Sequence, residues 1–332
     1  MATWGDILNE LKALHAKKHP APFDYVRRRY LAELQQHTGR NIVLYASAWT
    51  QTLPDVPPEF VSMTEEDVQG FMEVFHGLPS DGLDLILHLP GGTAETTEAI
   101  VSYIRSKFGD VRVIVPHAAM SAATMLACSS QRVIMGSHSF LGPIDPQMIL
   151  DTPLGRMAVP AQAILDQFQT ARQECEDPKG LAAWVPILPQ YGPALLIQCT
   201  HALALSKELV SKWLMQYMFK GQSDAEAKAM SVANSLADHN WFKTHGRHIN
   251  RDQARSFGVL VDDLEADQKL QDLVLSVFWA ASHTFNGTPA VKLIENHLGR
   301  AYVKTLKVVA VPRVPPQQAG PPSVPPPPGP SP

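Results

Sequence analysis

The fold is decided by the stretch Leu85-Ile-Leu-His-Leu-Pro-Gly-Gly-Thr93, an apolar run that stops at a proline and two glycines. A second stretch, Val113-Ile-Val-Pro-His-Ala-Ala-Met-Ser121-Ala-Ala-Thr124, follows the same pattern further along the chain. Each predicts a buried strand, and each is followed by the apolar spacing of a helix. Because the first turn of a helix leaves backbone N–H groups without partners, both turns present hydrogen-bond donors and a positive helix end.

Size and composition limit the classes of protein to consider. With 332 residues, 45% hydrophobic and 18% charged, the chain can bury one large core or two modest ones. A net charge of -4 provides no basic surplus for a phosphate backbone, so we expect no nucleic-acid partner. The chain has three cysteines, Cys128, Cys175 and Cys199. Their number does not suit a framework of disulfide bonds and their spacing does not match a metal site, which is typical of a protein in a reducing compartment. Without a signal segment or a long apolar run, we expect a cytoplasmic protein with no membrane segment.

Strands and helices alternate through the middle of the chain. Nearly continuous apolar strands separated by amphipathic helices are typical of right-handed βαβ crossovers and of a parallel sheet buried on both faces. We therefore predict an α/β domain over residues 38–305. Its predicted elements are strands 41–46, 83–88, 111–115 and 132–135 and helices 94–107 and 121–129.

Three segments flank or extend this core. Residues 1–37 carry helical spacing broken by a proline-rich turn, which predicts two N-terminal helices. Long helical patterns with little strand signal over about 160–240 predict a helical C-terminal elaboration of the domain. Residues 306–332 form a proline-rich tail that cannot build a core. We expect this tail to be disordered. The class of partner that would bind it is a proline-motif reader, that is, a domain that recognises proline-rich motifs.

The residues at the two turns suit nucleophilic catalysis. Gly91 and Gly92 allow positive φ and a close approach of the backbone to a ligand, so their amides can stabilise an oxyanion. A plain tight turn is the alternative for this pair. Ser121 lies at an equivalent turn between alanines, where a helix start stabilises negative charge beside the hydroxyl. The alternative for Ser121 is an ordinary helix N-cap.

Four motifs, taken in order, resemble the serine dehydrogenase proteinase family, a relative of signal peptide peptidase A within the ClpP/crotonase superfamily. They are His88-Leu-Pro-Gly-Gly92, Ala119-Met-Ser-Ala-Ala-Thr124, Met135-Gly-Ser-His-Ser-Phe-Leu-Gly-Pro-Ile-Asp-Pro-Gln147 and Lys243-Thr-His-Gly-Arg247. The resemblance covers roughly residues 25–305. It implies a ClpP/crotonase-like core of repeated ββα units and a serine peptidase that uses no cofactor.

The resemblance also implies roles for particular residues. Ser121 is the expected nucleophile, which attacks the scissile carbonyl of a protein or peptide substrate. The expected oxyanion hole consists of the amides of Gly91 and Gly92 and of Ala122, the residue after the nucleophile. Leu89 departs from the family pattern, in which a threonine is expected before Pro-Gly-Gly. Because Leu89 adjoins the hole, this departure bears on substrate fit more than on mechanism.

The general base is left open by the sequence. No histidine stands near 142–145, where ClpP-like peptidases have theirs. Relatives of signal peptide peptidase use a lysine that follows the serine along the chain, and Lys179 stands at a comparable separation from Ser121. The resemblance therefore implies a Ser-Lys dyad. Such a lysine must be desolvated to become neutral and accept a proton. Lys207 and His138 are the other candidates, and an exposed lysine in a turn is the alternative for Lys179.

Asp145 belongs to a two-proline turn that is expected to pass beside the nucleophile. Its carboxylate could orient a base or a substrate, or it could lock the turn through a local hydrogen bond. The histidines His239, His245 and His248 invite a metal interpretation. Since no HExxH or Cys/His cluster accompanies them, we expect structural histidines and no metal site.

Two other function classes fit parts of the pattern. A crotonase-like acyl-CoA enzyme uses two oxyanion amides without a nucleophile, and a non-catalytic oligomeric scaffold would keep only the fold. The small-residue turn around Ser121 and the later Gly142-Pro-Ile-Asp-Pro146 favour the peptidase. By resemblance to relatives that enclose their active sites in rings or stacked trimers, we also expect a homo-oligomer.

Overall fold

The computed structural model of the protein describes residues 3–51, 56–79, 82–152 and 155–306. Apart from Leu306, the predicted tail at 306–332 lies outside the described residues. In the described part, no helix is both long enough and apolar enough to cross a membrane.

A seven-stranded sheet forms the centre of the molecule, in the order β10-β5-β3-β2-β1-β11-β12. The five strands from β10 to β1 are parallel, and β11 and β12 are antiparallel to their neighbours. A small second sheet joins β4, β6 and β9, and β7 and β8 form a hairpin. The strands are β1 (Asn41–Ser47), β2 (Leu83–His88), β3 (Val111–Val115), β4 (Ala118–Ala119), β5 (Arg132–Met135), β6 (Phe140–Leu141), β7 (Gln147–Thr152), β8 (Gly155–Pro160), β9 (Ile249–Asn250), β10 (Val261–Asp263), β11 (Ala290–Asn296) and β12 (Ala301–Thr305).

Helices cover both faces of the large sheet. One face packs against α4, α5, α6, α9 and α10 in the larger apolar core, and the other packs against α2 and α13. The helices are α1 (Trp4–Ala16), α2 (Pro22–Thr38), α3 (Pro58–Val61), α4 (Glu66–Phe75), α5 (Ala94–Lys107), α6 (Ala122–Cys128), α7 (Ala161–Glu174), α8 (Pro178–Trp184), α9 (Leu195–Trp213), α10 (Ala225–Leu236), α11 (His239–Phe242), α12 (Arg251–Ser256) and α13 (Gln268–Gly287).

The predicted α/β class is confirmed, and the predicted core strands and helices agree with the structure to within a residue or two. Both N-terminal helices and the helical elaboration are also present. The antiparallel strands β11 and β12 were not predicted, nor was the hairpin of β7 and β8. Since β7 and β8 carry few buried side chains, they lack the apolar signal that marks the core strands.

Candidate active site

Ser121 occupies the sharp turn between β4 and α6. Its backbone has φ 53° and ψ -120°, a region that favours glycine, although the residue carries a side chain. The serine precedes α6 but makes no capping hydrogen bond, so the simple N-cap interpretation does not describe it. A strained strand-to-helix turn that leaves the hydroxyl free is the geometry used to expose a catalytic nucleophile.

The glycine pair lies directly against this turn. Gly91 has φ 115°, and a Cβ atom placed on it would lie 2.9 Å from Ser121 Cβ and 3.0 Å from Ala122 N. A parallel bridge between Leu89 and Ala119 sets this approach, and within it Met120 N donates to Leu89 O at 3.0 Å. The structure therefore brings the two turns into direct contact.

Three backbone N–H groups at this junction are available to a ligand. Among the described residues, the amides of Gly91, Gly92 and Ala122 donate to no backbone acceptor. Ala122 N is also the first amide of α6, where the helix dipole adds to its positive character. Donors arranged in this way suit an oxyanion that develops beside Ser121.

A third segment borders the nucleophile from the side of β6. A Cβ atom on Gly142 would lie 3.0 Å from Ser121 N, so only glycine allows this approach. Thr124 fixes the contact, since its hydroxyl donates to Ala119 O at 2.8 Å and accepts from Gly142 N at 2.9 Å. The side chain of one helical residue thus ties the nucleophile turn to the segment that leads to Asp145.

A buried ion pair holds the segment around Met63, which packs against the glycine pair. Met63 N donates to Gly91 O at 2.7 Å, and a Cβ atom on Gly92 would meet Met63 O at 2.5 Å. The segment around Met63 is held by Lys292, whose Nζ lies 2.8 Å from Asp67 Oδ2 and donates to the preceding carbonyl of Ser62. Burial lowers the pKa of Lys292, although the Asp67 carboxylate opposes this shift.

This ion pair also explains how α4 begins. The Thr64–Asp67 pattern resembles a capping box, and Asp67 does accept from Thr64 N at 2.9 Å. Within the described part of the chain the Thr64 hydroxyl has no hydrogen-bond partner, so only half of the box forms. Asp67 instead accepts from Lys292 and from the Tyr45 hydroxyl, at 2.6 Å.

Replacing Ser121 by glycine should stabilise the fold, because glycine adopts φ 53° and ψ -120° without a Cβ clash. We expect the free energy of unfolding to rise by about 1 kcal/mol relative to Ser121→Ala, which keeps the strained Cβ. Denaturant titration of the two variants measures this difference. Equal stability, or a less stable glycine variant, would mean that the turn stores no strain.

The candidate bases predicted from the sequence lie in different surroundings. Lys179 is exposed on α8, and its ammonium group makes no hydrogen bond or ion pair with the described residues. Lys207 is half-buried on α9, and His138 is exposed in the turn before β6. None of the three makes a hydrogen bond with Ser121 in the part of the chain that the structure describes.

His88 and His117 lie at the strand ends, in contact with Phe278. Burial lowers the pKa of His88 to about 3, with a smaller contribution from the nearby His117, so the ring stays neutral. Its Nδ1 donates to Ala118 O at 3.1 Å. The pKa of His117 is also lowered, first by burial and then by His138 and His248. The neutral His88 ring therefore links β2, through this hydrogen bond, to β4, the strand that leads to Ser121.

Asp145 is the centre of a separate polar cluster. Its carboxylate is buried, and it accepts from His245 Nδ1 at 2.7 Å and from His239 Nδ1 at 2.9 Å. Both histidines lie between α10 and β9, His239 at the start of α11 and His245 after that helix. Asp145 thus makes hydrogen bonds to side chains outside its own turn.

Residues 23–184 match the family model of the ClpP-like SDH-type serine proteinases, and this match includes both turns and Asp145. The parallel-dominated sheet flanked by helices is consistent with the ClpP-like fold of these proteinases.

Two uncharacterized proteins of Methanocaldococcus jannaschii are similar to this chain. One is 27% identical over 206 residues, with 62% of each protein covered, and the other is 23% identical over 239 residues, with 71% covered. The chain thus spans less than two thirds of the length of the first relative. A solved structure, a serine-to-alanine mutant of the 1510-N membrane-bound stomatin-specific protease, is 15% identical, with 63% of this chain and 79% of that chain covered and a TM-score of 0.36.

The contacts of Asp145 with His239 and His245 do not follow from the sequence pattern. Both histidines stand far from Asp145 along the chain, and without an HExxH motif or a Cys/His cluster they are expected to be structural. The signal that was present is the motif Lys243-Thr-His-Gly-Arg247, which carries part of the family resemblance and contains His245.

Proposed function

We propose that this protein is a serine peptidase that cleaves peptide bonds through an acyl-enzyme on Ser121. The observation that carries the proposal is the contact between the Gly91 turn and the strained Ser121 turn, with unpaired amides on both. The family match supports the same reaction class. A protein or peptide is the proposed substrate.

In this mechanism Ser121 Oγ attacks the scissile carbonyl carbon while its proton passes to a base. The carbonyl electron pair moves to the oxygen, and the amides of Gly91, Gly92 and Ala122 stabilise that negative charge. The C–N bond then breaks, and the leaving amine takes the proton from the base. Water repeats these steps on the ester and restores the serine.

A Ser-Lys dyad with Lys179 remains a prediction. A lysine accepts a proton only when desolvation favours its neutral form, and Lys179 is exposed on α8. A dyad with Lys179 would therefore need the region around α8 to be covered by another chain.

The same region supports the proposal of a homo-oligomer. Large apolar side chains are exposed on the β7–β8 hairpin, on α8 and at the start of α9. They are Ile149, Met157, Leu181, Val185 and Ile197. Exposed apolar side chains grouped in one stretch of chain are typical of contact surfaces.

A fluorophosphonate probe tests the nucleophile directly. We expect the wild-type protein to take up one label, with peptide mapping by mass spectrometry placing it on Ser121, because this hydroxyl faces oxyanion donors. Ser121→Ala should take up none. Ser106→Ala, which alters an exposed serine on α5, should be labelled as the wild type is.

Some serine hydrolases with a lysine base resist such probes, so casein hydrolysis should be measured in parallel. Absence of both label and turnover in the wild type would contradict the peptidase proposal. That outcome would favour a crotonase-like acyl-CoA enzyme or a non-catalytic oligomeric scaffold. Label on another serine, with full turnover by Ser121→Ala, would contradict the assignment of the nucleophile.

A further inference from the structure

We propose that His245, oriented by Asp145, accepts the proton of Ser121 during acylation. This inference rests on the proposed peptidase function and supplies its missing base. Asp145 is 1% exposed, and the two histidines are its hydrogen-bond partners among the described side chains. A buried carboxylate needs such donors, and it fixes in return the tautomer of each ring.

The tautomer decides which nitrogen can act as a base. Because the Asp145 carboxylate accepts from Nδ1 of His245, that nitrogen carries a proton, and Nε2 of a neutral ring then keeps a lone pair. The Nε2 atom makes no hydrogen bond with the described residues. The side chain of His245 is 24% exposed, so the ring is open to solvent and to substrate. His239 has the same tautomer but is 11% exposed.

The path of the chain keeps Asp145 within a short distance of the nucleophile turn. Gly142 approaches Ser121 N, and Asp145 follows three residues later, which spans about 10 Å of extended chain at most. The return strand runs alongside, since Leu141 in β6 pairs with Ile249 in β9 in antiparallel register. His245 therefore approaches from the residues that precede β9, on the same side as Asp145.

The segment from His239 to His245 contains a residue with a strained backbone. Lys243 has φ 66° and ψ -29°, and its amide donates to His239 O at 2.7 Å. This turn directs both His239 and His245 toward one carboxylate. Backbone strain of this kind tends to occur at sites with a function. Among the described residues, no group of three or more His, Cys, Asp or Glu has the arrangement of a metal site, so Asp145 orients imidazoles here.

The proposed step is balanced within the chain and its substrate. Ser121 Oγ forms a bond to the scissile carbon as its proton moves to His245 Nε2, and the resulting imidazolium is stabilised by Asp145. The proton then passes to the leaving amine when the C–N bond breaks. Free enzymes often lack the serine–imidazole hydrogen bond, which forms in the Michaelis complex.

His245→Asn tests the proposal without removing the tie to Asp145, because the asparagine amide can still donate near the position of Nδ1. We expect kcat/KM for casein hydrolysis to fall about 10³-fold in this variant, the effect of losing a general base. His239→Asn should lose less. His37→Asn removes a matched histidine that pairs with Asp267 on another part of the surface, and it should hydrolyse casein as the wild type does.

Chemical rescue separates a base from a structural residue. Added imidazole should restore part of the activity of His245→Ala and none of the activity of Ser121→Ala. Wild-type rates for His245→Asn would overturn the inference, as would a loss in Lys179→Ala that matches the loss in Ser121→Ala. In both cases the serine peptidase itself would stand. Absence of turnover by the wild type would instead contradict the proposed function.

Discussion

Replacing Ser121 by alanine should lower kcat/KM for casein hydrolysis about 10⁶-fold, the size of effect known for loss of a nucleophile that acts with a base. The change removes one oxygen atom and leaves the turn, the glycine pair and the helix start in place. Residual hydrolysis is expected from the oxyanion amides alone. Steady-state hydrolysis of labelled casein, at enzyme concentrations high enough to detect slow turnover, measures the loss.

The fold should be unaffected by this change. Ser121 makes no capping bond, and alanine meets the same backbone strain, so the free energy of unfolding should stay within about 0.5 kcal/mol of the wild type. Ser106→Ala serves as the control for loss of a serine hydroxyl elsewhere. If Ser121→Ala keeps a tenth or more of the wild-type activity while remaining folded, another residue attacks the substrate.

Gly91→Ala should abolish most of the activity through the oxyanion hole, with a loss of about 10⁴ in kcat/KM. The added Cβ would lie 2.8 Å from Met120 O and 3.0 Å from Ala122 N, so it would push the nucleophile turn away and crowd the Ala122 amide, one of the donors of the hole. Loss of one oxyanion donor alone costs about 10²- to 10³-fold. The same casein assay measures the loss, and mass spectrometry reports whether Ser121 still reacts with a phosphonate.

Gly77→Ala is the matched control for this change. Gly77 also has positive φ, at 80°, but a Cβ there would meet no atom within 4 Å. Both substitutions strain the backbone by about 1 to 3 kcal/mol, whereas only Gly91→Ala reaches the site. Equal activity in the two variants, at equal stability, would contradict the assignment of Gly91 to the hole.

Local patterns explain why much of the fold could be predicted. The buried strands β2 and β3 are apolar runs bounded by clear turn residues, so their limits and the helices after them follow from residue spacing. β12 alternates between half-buried and exposed positions, and the hairpin strand β8 is largely exposed, so neither carries such a signal.

The residues of the candidate site also differ in how far the sequence predicts their placement. Gly91 and Ser121 could be predicted because each stands at the end of its own strand, where sequence neighbours determine the turn. The contact of Asp145 with His239 and His245 depends on the packing of a loop about a hundred residues away along the chain, which spacing alone does not reveal. The conformation of Ser121 is likewise set by tertiary contacts, since the local propensity of serine is to cap a helix.

The parallel bridge between Leu89 and Ala119 has a consequence for folding. The nucleophile turn and the glycine turn meet only after β2 and β3 have paired in their final register, and Asp145 meets His245 only after a much longer loop has closed. Contacts of such sequence separation form slowly, because the entropy of loop closure must be spent first. A nascent chain still emerging from the ribosome therefore lacks the complete arrangement until the segment that carries His245 has been made and packed.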